Sequence, residues 1–384
     1  MEDYLIKKRR SFFSVVMVLF WFSLYAYMPQ MTTYAKELGA SYKLIGLIAG
    51  AYGVTQTILR IPLGIVSDKL MNRKAFIIFG IICAIISATV VYIAPSPYTL
   101  LAARLFAGAA SATWVNFTVL FIGYFTDSES SKSVGIATSN SKIGQVFAMF
   151  IGGFIAVNYG VRNIFLICII VAFLSLIMGF FIYEEKIEVN SNSKTSGISK
   201  ILKNKRILYI SFLGCLTQFI TYSTTFGFTP IIASNLGADS LQLSYLSTVN
   251  ILPQIVFSML STTFFSNKFG ERKTLLAGFI LSVIVCVLTP LTPNIKLLFI
   301  IQFLSGTGSA ITFSILMGMV MKGVEAHLRT TTMGFYQASY GIGMIVGPMI
   351  LGTIGDLYGL ETGFMVIGIL GLLSIWSILK IKEV

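Results

Sequence analysis

Charge is scarce in this 384-residue sequence, and acidic charge is scarcest: charged residues make up 11%, and 15 Asp and Glu face 28 Lys and Arg for a net charge of +13. A water-soluble domain carries about 25% charged residues, so an ordinary soluble globule is excluded. Histidine occurs once, as His327 in a polar stretch, which leaves a histidine-based metal centre or catalytic triad without partners. The four cysteines, Cys83, Cys168, Cys215 and Cys286, stand singly in apolar runs, so neither a CxxC metal site nor a disulfide framework is legible. No cofactor and no metal is expected. Nucleic acid is excluded as a partner for the positive excess. The basic residues sit in short gaps between apolar runs, not on a solvated domain interleaved with aromatics.

Apolar length is what the chain has in abundance. Hydrophobic residues make up 55%, with 31 Phe and 17 Tyr, and the mean hydropathy is +0.84. A helical span takes roughly 20 apolar residues. Uncharged stretches place twelve spans near 11–31, 43–66, 75–94, 98–122, 134–157, 163–183, 206–229, 241–265, 274–292, 296–321, 331–353 and 362–380. Membrane strands would be about 10 residues long with period-two alternation, a pattern these runs lack. The expected fold class is therefore an all-α integral membrane protein with twelve transmembrane helices. Lys7-Lys8-Arg9-Arg10 before the first run looks superficially like a signal peptide, but no small-residue cleavage site follows, so the run is expected to remain as the first span.

Basic residues are distributed unevenly between the two faces. Of the 28 Lys and Arg, 21 fall in segments sharing a face with the termini, and the opposite face has only Lys36, Lys43, Arg162 and Lys296. Arg60, Arg104 and Lys142 lie inside spans. By the positive-inside rule, both termini are cytoplasmic in a multi-pass protein of the cell membrane. The lipid bilayer is then a partner, and a monomer is expected.

The two halves match each other at an offset near 199 residues. Ser67-Asp68-Lys69 and Arg73-Lys74 fall on Ser266-Asn267-Lys268 and Arg272-Lys273. Gly135, Gly144 and Gly153 fall on Gly334, Gly343 and Gly352, and Tyr159-Gly160 on Tyr358-Gly359. At offset 198, Gly108, Ser111 and Ala112 meet Gly306, Ser309 and Ala310. Six spans are thus duplicated in parallel, giving an N-terminal six-helix bundle over 1–183, a cytoplasmic linker over 184–205 and a C-terminal bundle over 206–384. Parallel six-helix repeats are a transporter plan whose substrate site lies between the halves near midplane.

Gly64-Ile65-Val66-Ser67-Asp68-Lys69, followed by Arg73-Lys74, resembles the signature loop between the second and third spans of the major facilitator superfamily. Met71 stands where that loop usually has its second glycine, while Gly270 occupies the matching place in the second half. Arg104 with Gly108 resembles the family's fourth-span motif. Gly135, Gly144, Gly152 and Gly153 keep the spacing of the fifth-span antiporter pattern with Ala148-Met149 in place of Gly-Pro, and the Gly-Pro appears in the eleventh span as Gly347-Pro348. The resemblance implies a drug or small-molecule transporter working by alternating access, with proton-coupled efflux or exchange. It implies that Asp68 meets the positive N-terminus of the eleventh span near Thr330 to Thr332, and that Arg73 pairs with Asp127 to form a cytoplasmic latch.

Gly144, Ala148 and Gly152, and again Gly343 and Gly347, recur every four positions, so backbones can approach closely there. In a rocking transporter such faces would let helices of the two halves slide, with Pro348 supplying a kink; plain static packing is the alternative. Ionisable groups inside a span are costly and point to function. Those present are cationic, and no Asp or Glu stands mid-span, which favours an anionic, zwitterionic or neutral polar solute. Lys142 is the foremost contact, because its repeat mate is Gly341. For Lys142 and Arg104, as for Arg60, snorkelling or carbonyl bonding is the alternative. Tyr52 and Gln56 in step with Arg60, Asn250 and Gln254, Gln218 and Tyr222, Trp21 and Tyr25, and Gln337 and Tyr340 have helical spacing. Each pair either lines the cavity or bonds between helices.

The leading function is a secondary active transporter of a small organic solute. A facilitator or importer of an anionic metabolite is the second reading. An enzyme would need an acid, base, nucleophile or metal cluster, which the spans lack, and a sensor would need a soluble output domain longer than the linker.

Overall fold

The computed structural model describes residues 2–126, 129–184, 197–325 and 328–380. Eleven helices among them are long and apolar enough to cross a membrane, and all eleven coincide with expected spans to within a few residues, apart from longer ends at 205–235 and 331–358. The first expected span, 11–31, differs. Its helix α1 runs Glu2–Tyr25 and stops there. Around Pro29 the chain tightens into short bonds, Met28 N–H to Tyr25 O at 3.1 Å and Gln30 N–H to Tyr27 O at 3.2 Å, before α2 (Met31–Glu37) begins. Proline has no N–H and its ring crowds the carbonyl four residues back. The uncharged helical part, Ser11 to Tyr25, is thus shorter than a full span.

The other elements follow in order: α3 (Tyr42–Leu70), α4 (Arg73–Ile93), α5 (Pro97–Ala112), α6 (Trp114–Ile122), α7 (Ser130–Tyr159), α8 (Arg162–Phe180), α9 (Gly197–Lys203), α10 (Lys205–Ser223), α11 (Thr229–Asn235), α12 (Ser240–Leu260), α13 (Ser266–Phe269), α14 (Glu271–Leu288), α15 (Ile295–Met321), α16 (Arg329–Tyr358) and α17 (Leu360–Lys380). Within the expected linker, α9 is helical, and 185–196 lie outside the described residues, as does His327. Wide π turns at Thr224–Phe228 and Ser261–Phe265 join α10 to α11 and α12 to α13.

Contacts divide the chain into two compact units, Met1–Met31 with Thr55–Asn192, and Thr32–Val54 with Ser193–Val384. The repeat read from glycine spacing recurs as packing. In the first unit α1 packs on α7, and α4 on α5 and α8; in the second α10 packs on α16, and α14 on α15 and α17. Aromatic side chains fill the first unit: Phe20 stacks on Phe117 at 4.6 Å, and Tyr27 on Phe165 at 5.1 Å. In the second, Ile210, Leu213, Phe279, Ile315, Leu316 and Tyr336 share one core. Large apolar side chains such as Phe147, Phe154 and Ile151 on α7 stay exposed, as a lipid-facing surface requires.

The duplicated charged turn has its own backbone solution. Met71 adopts φ +47° after α3, and Gly270 adopts φ +86° after α13, so both halves turn through a left-handed residue. Only the second half has the residue that reaches this region without steric cost.

Candidate functional site

In the first unit the break between α5 and α6 at Thr113 places Trp114 and Asn116 beside α1 and α7. Trp21 on α1 lies edge-on to Trp114 at 5.2 Å and tilted to Tyr25 at 5.5 Å. Its indole Nε1 is buried without a hydrogen-bond acceptor, and so are both amide atoms of Asn116. Lys142 on α7 is half-buried, and its Nζ donates to Gln145 Oε1 at 3.4 Å. No carboxylate among the described residues pairs with it. Burying a lysine at mid-span costs roughly 2.5–3.5 kcal/mol on insertion scales, and one neutral amide offsets little of that. Arg104 is 2% exposed, with Nη1 3.3 Å from the Met28 sulfur, a weak acceptor. Arg60 is half-buried further along α3.

Two of the polar stripes make interhelical bonds. Gln56 Nε2 donates to Ser111 Oγ at 2.8 Å, tying α3 to α5. The second unit repeats the tie between α12 and α15, with Asn250 Nδ2 donating to Gln302 O at 3.1 Å, while Gln254 Nε2 donates within α12 to Asn250 Oδ1 at 2.9 Å. Gln302 occupies the repeat position of Arg104, so neither Lys142 nor Arg104 has a cationic mate. Tyr52 is buried in the second unit. There Tyr222 lies 5.1 Å from Phe226 in the π turn, and Tyr340 lies 5.5 Å from Tyr336 and 5.8 Å from Phe313. Gln218 and Gln337 are half-buried. Among the described residues of this unit, the mid-span polar groups are neutral.

The small-residue stripes are close-approach faces within each unit. Gly144 lies against Val18 O and the Trp21 Cβ, and Gly152 against Ala26 O, so α7 rides on α1. Gly343 and Gly347 meet Cys215 O and Phe219 O, so α16 rides on α10. The partner of each stripe is thus a helix of its own unit. Pro348 lies inside α16, and its carbonyl abuts Gly46 of α3. Gly64 has open space around it.

Of the expected latch, the Asp68 side chain and all of Asp127 lie outside the described residues. At the same turn sequence reasoning missed Glu184, which accepts the backbone N–H of Arg73 at 2.6 Å and of Lys74 at 3.0 Å, capping α4. A second missed cap is Asp356 at the end of α16, which takes the N–H groups of Tyr42 at 2.7 Å and Lys43 at 2.8 Å. Both caps join residues more than a hundred positions apart, so no local pattern marks them. Trp114 carried the one available signal, as one of three tryptophans at the end of an uncharged small-residue run.

Comparison with known proteins places the fold. An uncharacterized MFS-type transporter of Methanocaldococcus jannaschii is 25% identical over 369 residues, covering 90% of this chain and 93% of that protein. The multi-drug resistance efflux pump PmrA of Streptococcus pneumoniae is 23% identical over 381 residues, covering 93% of each. Among solved structures, the nucleoside transporter NupG aligns with a TM-score of 0.76 at 16% identity, over 98% of this chain and 100% of that one. A bacterial homolog of the human lysosomal transporter Spinster aligns with a TM-score of 0.80 at 14% identity, over 97% and 96%. The Major Facilitator Superfamily profile matches residues 13–232 and 210–383, nearly the whole chain, and the chain belongs to that family of membrane transporters.

Proposed function

We propose that this transporter moves a small anionic or zwitterionic organic solute across the cell membrane by alternating access, as proton-coupled efflux or exchange, with both termini cytoplasmic. The observation that carries the solute class is Lys142, a mid-span lysine with one neutral partner and a glycine at its repeat position. An ammonium held in a low-dielectric setting without a counter-charge attracts an anion strongly. Arg104 adds a second cation in the same unit, and the aromatic pair Trp21 and Trp114 supplies a face for an organic body. Efflux is supported by whole-length similarity to a multi-drug efflux pump. Asp68, Arg73 and Asp127 are assigned to the cytoplasmic latch on the motif alone.

The test is uptake and counterflow in proteoliposomes against anionic, zwitterionic, cationic and neutral solutes, with and without a pH gradient. Faster movement of an anionic or zwitterionic solute, with acceleration by the gradient, is expected. Gradient-driven transport confined to a permanently cationic drug would overturn the solute class. Anion counterflow indifferent to pH would replace proton coupling with facilitated exchange.

A further inference from the structure

Three cations at the start of α1, Lys8, Arg9 and Arg10, divide into two kinds. Arg10 braces the first unit: its Nε and Nη2 donate to Tyr124 O at 2.9 and 2.7 Å, Nη2 reaches Glu129 Oε2 at 3.3 Å, and the guanidinium lies 3.7 Å from the Phe125 ring centre. The second unit repeats this brace, with Arg206 donating to Lys322 O at 2.6 Å and Met319 O at 2.8 Å. Lys8 and Arg9 belong to no such brace. With Phe12, Tyr124, Phe181 and Tyr183 they line a cleft of about 220 Å³ between the beginning of α1 and the ends of α6 and α8. Arg9 stacks over the Tyr183 ring at 3.5 Å, a geometry that occupies the guanidinium face and leaves its N–H edge open to an acceptor. Lys8 is exposed, and no carboxylate among the described residues pairs with either cation. Glu184, the nearby acid, is committed to the amides of Arg73 and Lys74.

Comparison of the two halves separates scaffold from addition. The register set by Arg10 and Arg206 puts Asn204 and Lys205 at the places of Lys8 and Arg9. Asn204 is spent on capping α10, accepting Arg206 N–H at 3.0 Å. Lys322 stands where Tyr124 does, and its Nζ pairs with Glu271 at 3.3 Å. The second half therefore closes this corner with matched charge, while the first leaves cationic charge over an aromatic floor. Tyr124 is held there by its hydroxyl, which donates to Tyr183 O, and burial raises its pKa so that it stays a neutral donor. The cleft lies where the apolar run of α1 begins and α8 ends, the level at which a spanning helix leaves the hydrocarbon, and Phe181 is 73% exposed beside it. Pockets for drug-sized ligands run about 300–1,000 Å³, and this smaller one is of a size to take a phosphate with its glycerol.

We propose that this cleft is a binding site for an anionic phospholipid, with the phosphate on Lys8 and Arg9 and the acyl chains along Phe12 and Phe181. Basic pockets between spanning helices recognise anionic headgroups in this way. A lipid seated there bridges the ends of α1, α6 and α8. The test uses the full-length protein and native mass spectrometry with phosphatidylglycerol, phosphatidylcholine and inorganic phosphate, alongside thermal melts. Wild type should bind phosphatidylglycerol at least tenfold more tightly than phosphatidylcholine and melt at a higher temperature with it. Lys8→Gln/Arg9→Gln should lose at least tenfold in that affinity, and Lys205→Gln should not. Lys8→Gln alone, whose side chain is exposed, covers the case in which the double variant fails to fold. Unchanged phosphatidylglycerol affinity in folded variants, or an equal melting shift from inorganic phosphate, would overturn the proposal.

Discussion

Lys142 and Arg104 differ from their surroundings in one respect: the repeat does not call for them. Gly341 and Gln302 fill the equivalent places, so a six-helix half can be packed without either cation. Lys142→Gln is expected to fold normally and to lower anion transport at least tenfold, with Lys142→Arg retaining part of it; proteoliposome uptake corrected for protein content is the check. Arg104→Gln copies the residue that the second half already accommodates, so its melting temperature should stay near wild type while anion affinity falls. Met71 offers a third test. Its left-handed φ of +47° costs about 1–2 kcal/mol for a residue with a Cβ, partly offset by the entropy glycine loses on folding. Met71→Gly should raise stability by about 0.5–1 kcal/mol, read as a small upward shift in melting temperature.

At the scale of helices, close approach and capping decide which pairs hold. The Gly152 Cα sits against Ala26 O with no room for a side chain. Gly152→Val would force α7 off α1, at a cost typical of overpacking, about 1–3 kcal/mol, and thermal melts in detergent should show it. Gly64→Ala, in open space, is the neutral control. Asp356 binds two amides at the start of α3, and loss of such a cap costs about 1 kcal/mol. Asp356→Ala should speed amide exchange at Tyr42 and Lys43, with Asp356→Asn intermediate. Eleven spans were legible because twenty uncharged residues between polar breaks can only be a helix in lipid. The early end of α1 was not, because the apolar run continues through Pro29 and only the backbone breaks. The stripes at Gly144, Gly152, Gly343 and Gly347 were legible as close-approach faces, but which helix each one meets was not, since small-residue spacing names no partner.

On the scale of the whole molecule, the units do not follow the boundary drawn by the repeat at every point, because Thr32–Val54 packs with residues 193–384. Within that unit Gly46 meets Pro348 O, Gly352 meets Tyr42 O, and Lys36 Nζ donates to Asn235 Oδ1 at 3.1 Å. A fragment of residues 193–384 expressed alone should therefore be less stable than the same residues co-expressed with residues 1–192, as measured by melting and by yield of monodisperse protein.

Composition, hydropathy and the 199-residue offset determined by themselves that this chain is a membrane protein of duplicated helical halves, that its mid-span charge is cationic, and which family it resembles. Those properties are properties of runs and spacings, which a linear sequence carries in full. The tertiary structure decided that the Gln56 and Asn250 stripes tie helices together, that Glu184 and Asp356 cap distant helices, and that Lys8 and Arg9 form a cleft with Tyr183. Each of those depends on side chains brought together by packing across more than fifty residues, and helical periodicity fixes the face a side chain occupies without fixing what it meets there.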